Sequence, residues 1–316
     1  MTTDKITQDA LEIGRKRAKE IIALRDKALE LRTQYLDAHP QLTIMKIEPS
    51  TVEGETIDIP KITPTAGVLV AEGDSWFNYP WHDVLKELED GYGYDVESVA
   101  HYGDPIEEMA YGGGQLEELT RRIDKLIRRK DEPKAVLLSG GGNDVAGAEF
   151  GMLLNHAQSP IFGLNPSILE GVINQRIRTA YITILSAVTS VCEQRIGKVI
   201  PIIVHGYDYP VPDGRGFLGG WGFLPGPWLE PGFREKGYND LTQRIGLAHE
   251  LIERFNLMII DLIKLPPFQH VHYIDLRNVL QTGSEYKDWW ENELHPTQRG
   301  FHTIAEKFAA TLEGFP

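Results

Sequence analysis

The stretch that decides the reading is Gly67-Val68-Leu69-Val70-Ala71-Glu72-Gly73-Asp74-Ser75-Trp76. Its first half is a short apolar, β-branched run bounded by glycines, which reads as a buried strand. The run ends directly on Gly-Asp-Ser. In an open α/β sheet, ligands and catalytic groups collect at the C-terminal ends of strands, so Ser75 is well placed to be a hydroxyl nucleophile. Taken alone the tripeptide is equally good turn chemistry leading into a helix cap.

Working outward, residues 68–71, 96–99, 135–138, 199–204 and 271–274 read as buried strands. Between them apolar residues recur at helical spacing over 81–89, 115–129, 168–193, 236–255 and 297–312. The alternation predicts an α/β domain over residues 65–316, with a central, mostly parallel five-stranded sheet and helices on both faces. Ahead of it, residues 6–38 read as one long helix that ends at His39-Pro40. Ile21, Ala28 and Tyr35 share one track of it, Ile22, Leu29 and Leu36 the next, and Leu24 and Leu31 widen the stripe. Either the chain's own domain or a second copy covers that stripe, so a homo-oligomer through this helix is the alternative to internal packing. Pro49, Pro60 and Pro64 mark residues 41–64 as an irregular connector, making 1–64 an N-terminal helix and connector.

Bulk properties exclude several classes. A net charge of −14 leaves no basic surface for a long nucleic acid, and no run approaches the length needed for a membrane span. The single cysteine, Cys192, makes no internal disulfide, and the polar start lacks the basic-then-apolar order of a secretory signal; a cytoplasmic location is expected.

Three further segments give Ser75 company. After the second strand comes Ala100-His101-Tyr102-Gly103-Asp104, after the third Ser139-Gly140-Gly141-Gly142-Asn143-Asp144, and near the C-terminus Glu293-Leu294-His295-Pro296-Thr297. A tetrahedral oxyanion needs fixed hydrogen-bond donors, which the backbone N–H groups of Ser75 and Gly103 and the Asn143 amide supply without a metal. His295 is the candidate base, since imidazole titrates near neutral pH.

Gly73-Asp74-Ser75, Gly103, Gly141-Gly142-Asn143-Asp144 and His295-Pro296, in this order, resemble the blocks of the SGNH (GDSL-like) serine hydrolases. The resemblance spans roughly residues 67–312. It implies a three-layer, flavodoxin-like fold, a serine nucleophile, the oxyanion hole just described, and hydrolysis of ester-type bonds with no cofactor. One position departs from the family pattern: where it places an Asp three residues before the His, this chain has Asn292. Either Asn292 or its backbone carbonyl orients the ring, or Asp288, Glu291, Glu293 or Asp275 takes over, or activity is weak.

The segment 205–233, rich in Gly, Trp and Phe, is long for a loop and reads as a lid or substrate wall carrying Trp221, Phe223, Trp228 and Phe233, with Asp208, Asp213 and Arg215 as polar groups. Residues 146–166 form a second candidate wall with Phe150, Met152, Leu153 and Leu154. Gly112-Gly113-Gly114 lacks a phosphate-loop signature and reads as a turn. The histidines 82, 101, 270, 272 and 302 lack metal-ligand spacing, so no metal is expected, and Trp289-Trp290 reads as packing for the His295 turn. The expectation is an esterase acting on a small acyl, carbohydrate or lipid ester. Acyl transfer to an alcohol, or a catalytically weak binding or assembly module of the same fold, are the alternatives.

Overall fold

The computed structural model describes residues 3–38, 65–219 and 224–316. In chain order the elements are α1 (Thr3–Ala38), β1 (Val68–Glu72), α2 (Val84–Tyr92), β2 (Asp95–Ser98), α3 (Ile106–Tyr111), α4 (Gln115–Arg128) and β3 (Ala135–Leu138). A small antiparallel pair follows, β4 (Leu154–Asn155) and β5 (Gly163–Leu164), then α5 (Pro166–Leu169), α6 (Arg178–Ile196), β6 (Ile202–His205), α7 (Glu230–Glu235), α8 (Leu241–Leu262), β7 (Val271–Ile274) and α9 (Gln298–Leu312).

The five long-range strands form one parallel sheet in the order β2-β1-β3-β6-β7. β3 (AVLL) and β6 (IIVH) are buried at every residue, as unbroken apolar runs must be when both faces of a parallel sheet are covered. α2 packs on α9, while α4, α6 and α8 pack together, giving three layers. The chain reverses its direction of winding between β1 and β3, and the C-terminal ends of these two strands flank the switch point where doubly wound sheets bind ligands. Ser75 follows one and Asn143 the other.

α1 lies against α6 through Thr7, Ala10, Leu11, Ala18 and Ile21. A Cβ on Gly14 would sit 2.5 Å from the Thr183 carbonyl, so glycine sets how closely the two helices approach. The domain thus covers the first half of the helix. The stripe expected over residues 21–36 is displaced, and Leu24 and Leu31 are exposed at 61% and 56%. Small residues four apart choose the contact here, because they let backbones come close where bulky ones cannot.

Local chemistry moves several boundaries. The helix expected over 81–89 starts at Val84 because Asp83 caps it, accepting from Lys86 N–H, and Trp81 has φ 71°. α8 starts at Leu241 because Asp240 caps it, and the fourth strand starts after Pro201 rather than at Val199. The rod over 168–193 is α5, a π-helical stretch at Glu170–Ile177, and α6. Neither α3 nor the β4–β5 pair was expected. His39-Pro40 and the connector lie outside the described residues, as do Trp221 and Phe223. Among the described residues no helix is long and apolar enough to cross a membrane.

Candidate active site

β1 delivers the chain into a tight turn in which Asp74 organises everything around Ser75. The Asp74 carboxylate accepts from Trp76 N–H at 3.0 Å and from the Ser139 hydroxyl at 2.9 Å, and it takes a short hydrogen bond from the Tyr207 hydroxyl. Tyr207 in turn accepts from Gly142 N–H at 3.2 Å. The turns after β1, β3 and β6 are therefore held to one buried carboxylate. The Trp76 indole N–H donates to the Leu294 carbonyl at 3.1 Å, tying the nucleophile's turn to the segment that bears His295.

Ser75 Oγ lies 2.7 Å from His295 Nε2, and both residues are buried, at 5% and 2% exposure. On the other side of the ring, His295 Nδ1 lies 2.9 Å from Asn292 Oδ1. The same oxygen accepts the backbone N–H groups of Leu294 and His295, each at 3.0 Å, while Asn292 Nδ2 donates to the Tyr79 hydroxyl at 3.0 Å. Two backbone donors can face only the amide oxygen, which fixes the orientation of Asn292. Nδ1 of His295 must then carry the proton, leaving the Nε2 lone pair free to receive one from Ser75. Burial pulls His295 down from its ordinary 6.5 to about 3, so the ring is neutral at neutral pH.

The chain of hydrogen bonds does not stop at Asn292. Tyr79 stacks on His295, with ring centres 4.2 Å apart, and its hydroxyl is the acceptor for the Asn292 amide. None of the candidate acids makes a hydrogen bond to His295. Glu293 accepts the N–H groups of Gly214, Trp228, Leu229 and Glu230 at 2.7–3.1 Å, and Asp275 pairs with Arg277. Asp288 is exposed, and its backbone carbonyl accepts from the Thr297 hydroxyl.

Gly103 sits in the turn after β2 with φ 85°, a left-handed conformation that favours glycine. The Asn143 amide donates to the carbonyl of the next residue, Asp104, at 3.1 Å, which joins the turns after β2 and β3. Asp144 accepts from Ile106 N–H at 2.8 Å and holds the start of α3; burial pushes its carboxyl up to about 6. Among the described residues there is no group of three side chains suited to hold a metal ion.

No family model matches the sequence, and no curated protein matches it. Solved structures do. A protein of Slackia heliotrinireducens described as an SGNH hydrolase is 12% identical, with a TM-score of 0.44 over 78% of this chain and 100% of its own. A family 3 carbohydrate esterase of Talaromyces cellulolyticus is 12% identical, with a TM-score of 0.40 over 78% of this chain and 96% of its own. The C-terminal catalytic domain of Streptococcus pneumoniae peptidoglycan O-acetyltransferase A is 12% identical, with a TM-score of 0.36 over 80% of this chain and 98% of its own. The structural neighbours also include a protein described as belonging to the lipolytic G-D-S-L family, from Desulfitobacterium hafniense.

The segment after β6 folds over the site. Trp228 meets His295 edge to face, with ring centres 5.3 Å apart, whereas Phe233 is fully buried against Phe150 and acts as a staple. The polar groups of this segment hold the protein together. Arg215 pairs with Asp213 and donates to the carbonyls of Trp290 and Glu291, and Asp208 accepts from the backbone of Tyr209, Asn278 and Leu280. Trp290 is buried, and its backbone bridges Pro296. Beside the nucleophile lies a small pocket, of about 50 Å³, shared by Ser75 and Asn143 with Val145, Phe150, Leu251 and Phe255. Met152 stands apart, 58% exposed. Tyr79 and Tyr207 are the partners whose roles local sequence did not signal: Tyr79 and Asn292 meet across 213 residues.

Proposed function

We propose that the chain is a serine esterase of the SGNH type that hydrolyses esters with an apolar acyl group through an acyl-enzyme on Ser75. The observation that carries this is the continuous chain from Ser75 Oγ through the His295 ring to Asn292, with the tautomer it imposes. His295 takes the Ser75 proton on Nε2 as Oγ attacks the ester carbonyl. The N–H groups of Ser75 and Gly103 and the Asn143 amide receive the oxyanion. As the tetrahedral adduct collapses, the C–O bond to the alcohol breaks and His295 returns the proton to the departing oxygen. A water, deprotonated by His295, then attacks the acyl carbon, releasing the acid and restoring the Ser75 hydroxyl. Asn292 orients the ring and Tyr79 holds Asn292, so the group beside the imidazolium is an amide dipole rather than a carboxylate. No metal or cofactor is needed for any of these steps.

The apolar lining supplied by Val145, Phe150, Leu251 and Phe255 supports an apolar acyl group rather than a sugar beside Ser75. A p-nitrophenyl ester series of increasing acyl length, run on the full chain and on Ser75→Ala, tests this. Turnover should rise from acetyl to medium chains and vanish in Ser75→Ala. A folded sample that turns over none of the esters, or a variant as active as the parent, would overturn it. The burial of Ser75 and His295 beneath Trp228 favours acyl transfer as a second reading, since a site closed to water spares the acyl-enzyme for an alcohol. Added alcohol would then divert the acyl group into a new ester.

A further inference from the structure

The second helix after β2 carries Arg121, Arg122, Lys125 and Arg128, with Arg129 as its C-terminal cap, spaced so that they share one face of α4. Across from them α1 presents Arg25 and Arg32, and between the two helices lies a cleft of about 440 Å³ lined by these seven basic side chains and by Glu118. In a chain of net charge −14, seven of the 32 lysines and arginines line one cleft. Bringing like charges together costs energy, which an anion bound in the cleft would relieve.

The protein supplies only part of that compensation. Asp124, buried beneath the cleft, pairs with Arg25 at 3.7 Å, Arg128 at 3.0 Å and Arg195 at 2.6 Å. Arg122 pairs with Glu97 and Glu118. These ion pairs fix the floor of the cleft and its guanidinium groups. Among the described residues Arg32, Arg121, Lys125 and Arg129 have no acidic partner, and they stand on both walls.

We propose that the cleft between α1 and α4 binds a small anion carrying two or more phosphate groups. Arg121 and Arg129 are separated by about 12 Å along the helix axis, a span suited to a short chain of phosphates rather than to one. Guanidinium groups match phosphate oxygens in pairs, and five of the cations on α4 and both on α1 point to that geometry with a single lysine among them. The same charge balance selects against long polyanions. A nucleic acid or an anionic membrane would extend beyond the cleft onto a surface that is acidic overall, whereas a compact anion would not.

The test is isothermal titration of the full chain with sodium tripolyphosphate at low ionic strength, with sulfate, a DNA duplex and phosphatidylserine vesicles as comparisons. One equivalent of tripolyphosphate should bind, far more tightly than sulfate, and added salt should weaken it. Arg121→Ala, Lys125→Ala and Arg129→Ala should each weaken it about tenfold, as the loss of one charge-assisted hydrogen bond would. Arg32→Ala probes the opposite wall, so the inference does not depend on α4 variants alone, and thermal melts establish that each variant folds. Absence of binding, affinity unchanged in the four variants, sulfate binding as tightly as tripolyphosphate, or tighter binding of DNA or vesicles would each overturn the proposal. Ser75→Ala should bind tripolyphosphate like the parent, which separates this site from the esterase.

Discussion

Replacing Asn292 with Asp puts a charge where the hydrogen-bond chain now has an amide. The oxygen that accepts His295 Nδ1–H at 2.9 Å is retained, so the tautomer is preserved and only the electrostatics change. At a charge separation of roughly 4 Å and an effective dielectric constant of about 20, a carboxylate would stabilise imidazolium by about 4 kcal/mol, or about 3 pKa units. His295, held down at about 3 by burial, should therefore titrate about 3 units higher in the variant. The sign follows directly: only neutral imidazole can take the Ser75 proton, so a lower pKa keeps the parent active further into acid. The parent's kcat/KM should be flat from pH 8 to about 5, while that of Asn292→Asp should fall below about pH 6. At pH 8 the variant should be faster, by up to about 10³, the rate equivalent of about 4 kcal/mol of added imidazolium stabilisation. Asn292 is fully buried and Glu291 is near, so the new carboxylate lowers the melting temperature as well. The assay is a pH–rate profile of ester hydrolysis on both proteins, with melting curves to show that each is folded. Coincident acid limbs would refute the reasoning, because they would mean that Asn292 is not coupled to the His295 ring.

Three other perturbations read the surrounding structure. Tyr79→Phe leaves the Asn292 amide without its acceptor, so it should cost about 1–3 kcal/mol in unfolding free energy and lower kcat with little change in KM; a parent-like kcat would remove Tyr79 from the orienting chain. Glu293→Ala strips the shared acceptor from four backbone N–H groups of the covering segment, and should cost about 3 kcal/mol while opening residues 213–230 to limited proteolysis; an unchanged cleavage rate would show that the segment is held by other contacts. Burial raises Glu72 from 4.5 to about 9, so its protonated form stabilises the fold fully below about pH 4.5 and that contribution is lost as pH climbs toward 9. Glu72→Gln, which cannot ionise, should melt like the parent at pH 4 and above it at pH 8; equal melting temperatures at pH 8 would contradict the burial argument.

The parts of this molecule legible in its sequence are those in which a local pattern carries the physics. Val68 to Ala71, Ala135 to Leu138 and Val271 to Ile274 are short apolar runs, and each is a strand of the parallel sheet. The failures have equally local causes. Asp83 and Asp240 cap helices a few residues later than apolar spacing alone suggests, and the contact of α1 is set by Ala10, Gly14 and Ala18 rather than by its bulkier residues. At the site, Ser75, Gly103, Asn143 and His295 stand out because each belongs to a compact motif at the end of a strand or before a helix. The partners of Asn292 do not. Tyr79 reaches it from a turn 213 residues away, and the four N–H groups that occupy Glu293 come from a loop whose course no periodicity encodes. Charge is read most poorly: a total of −14 conceals the basic cleft between α1 and α4, since summation over the chain erases where the charges lie.

Whether Ser75 is a nucleophile activated by His295 is read by incubating the full chain with a fluorophosphonate probe, followed by peptide mapping by mass spectrometry, which needs no knowledge of the substrate. Phosphonylation should occur at Ser75, be absent in Ser75→Ala and be strongly slowed in His295→Ala, both folded by thermal melt. A folded parent that takes up no label, or label on another serine that survives Ser75→Ala, would contradict that role for Ser75.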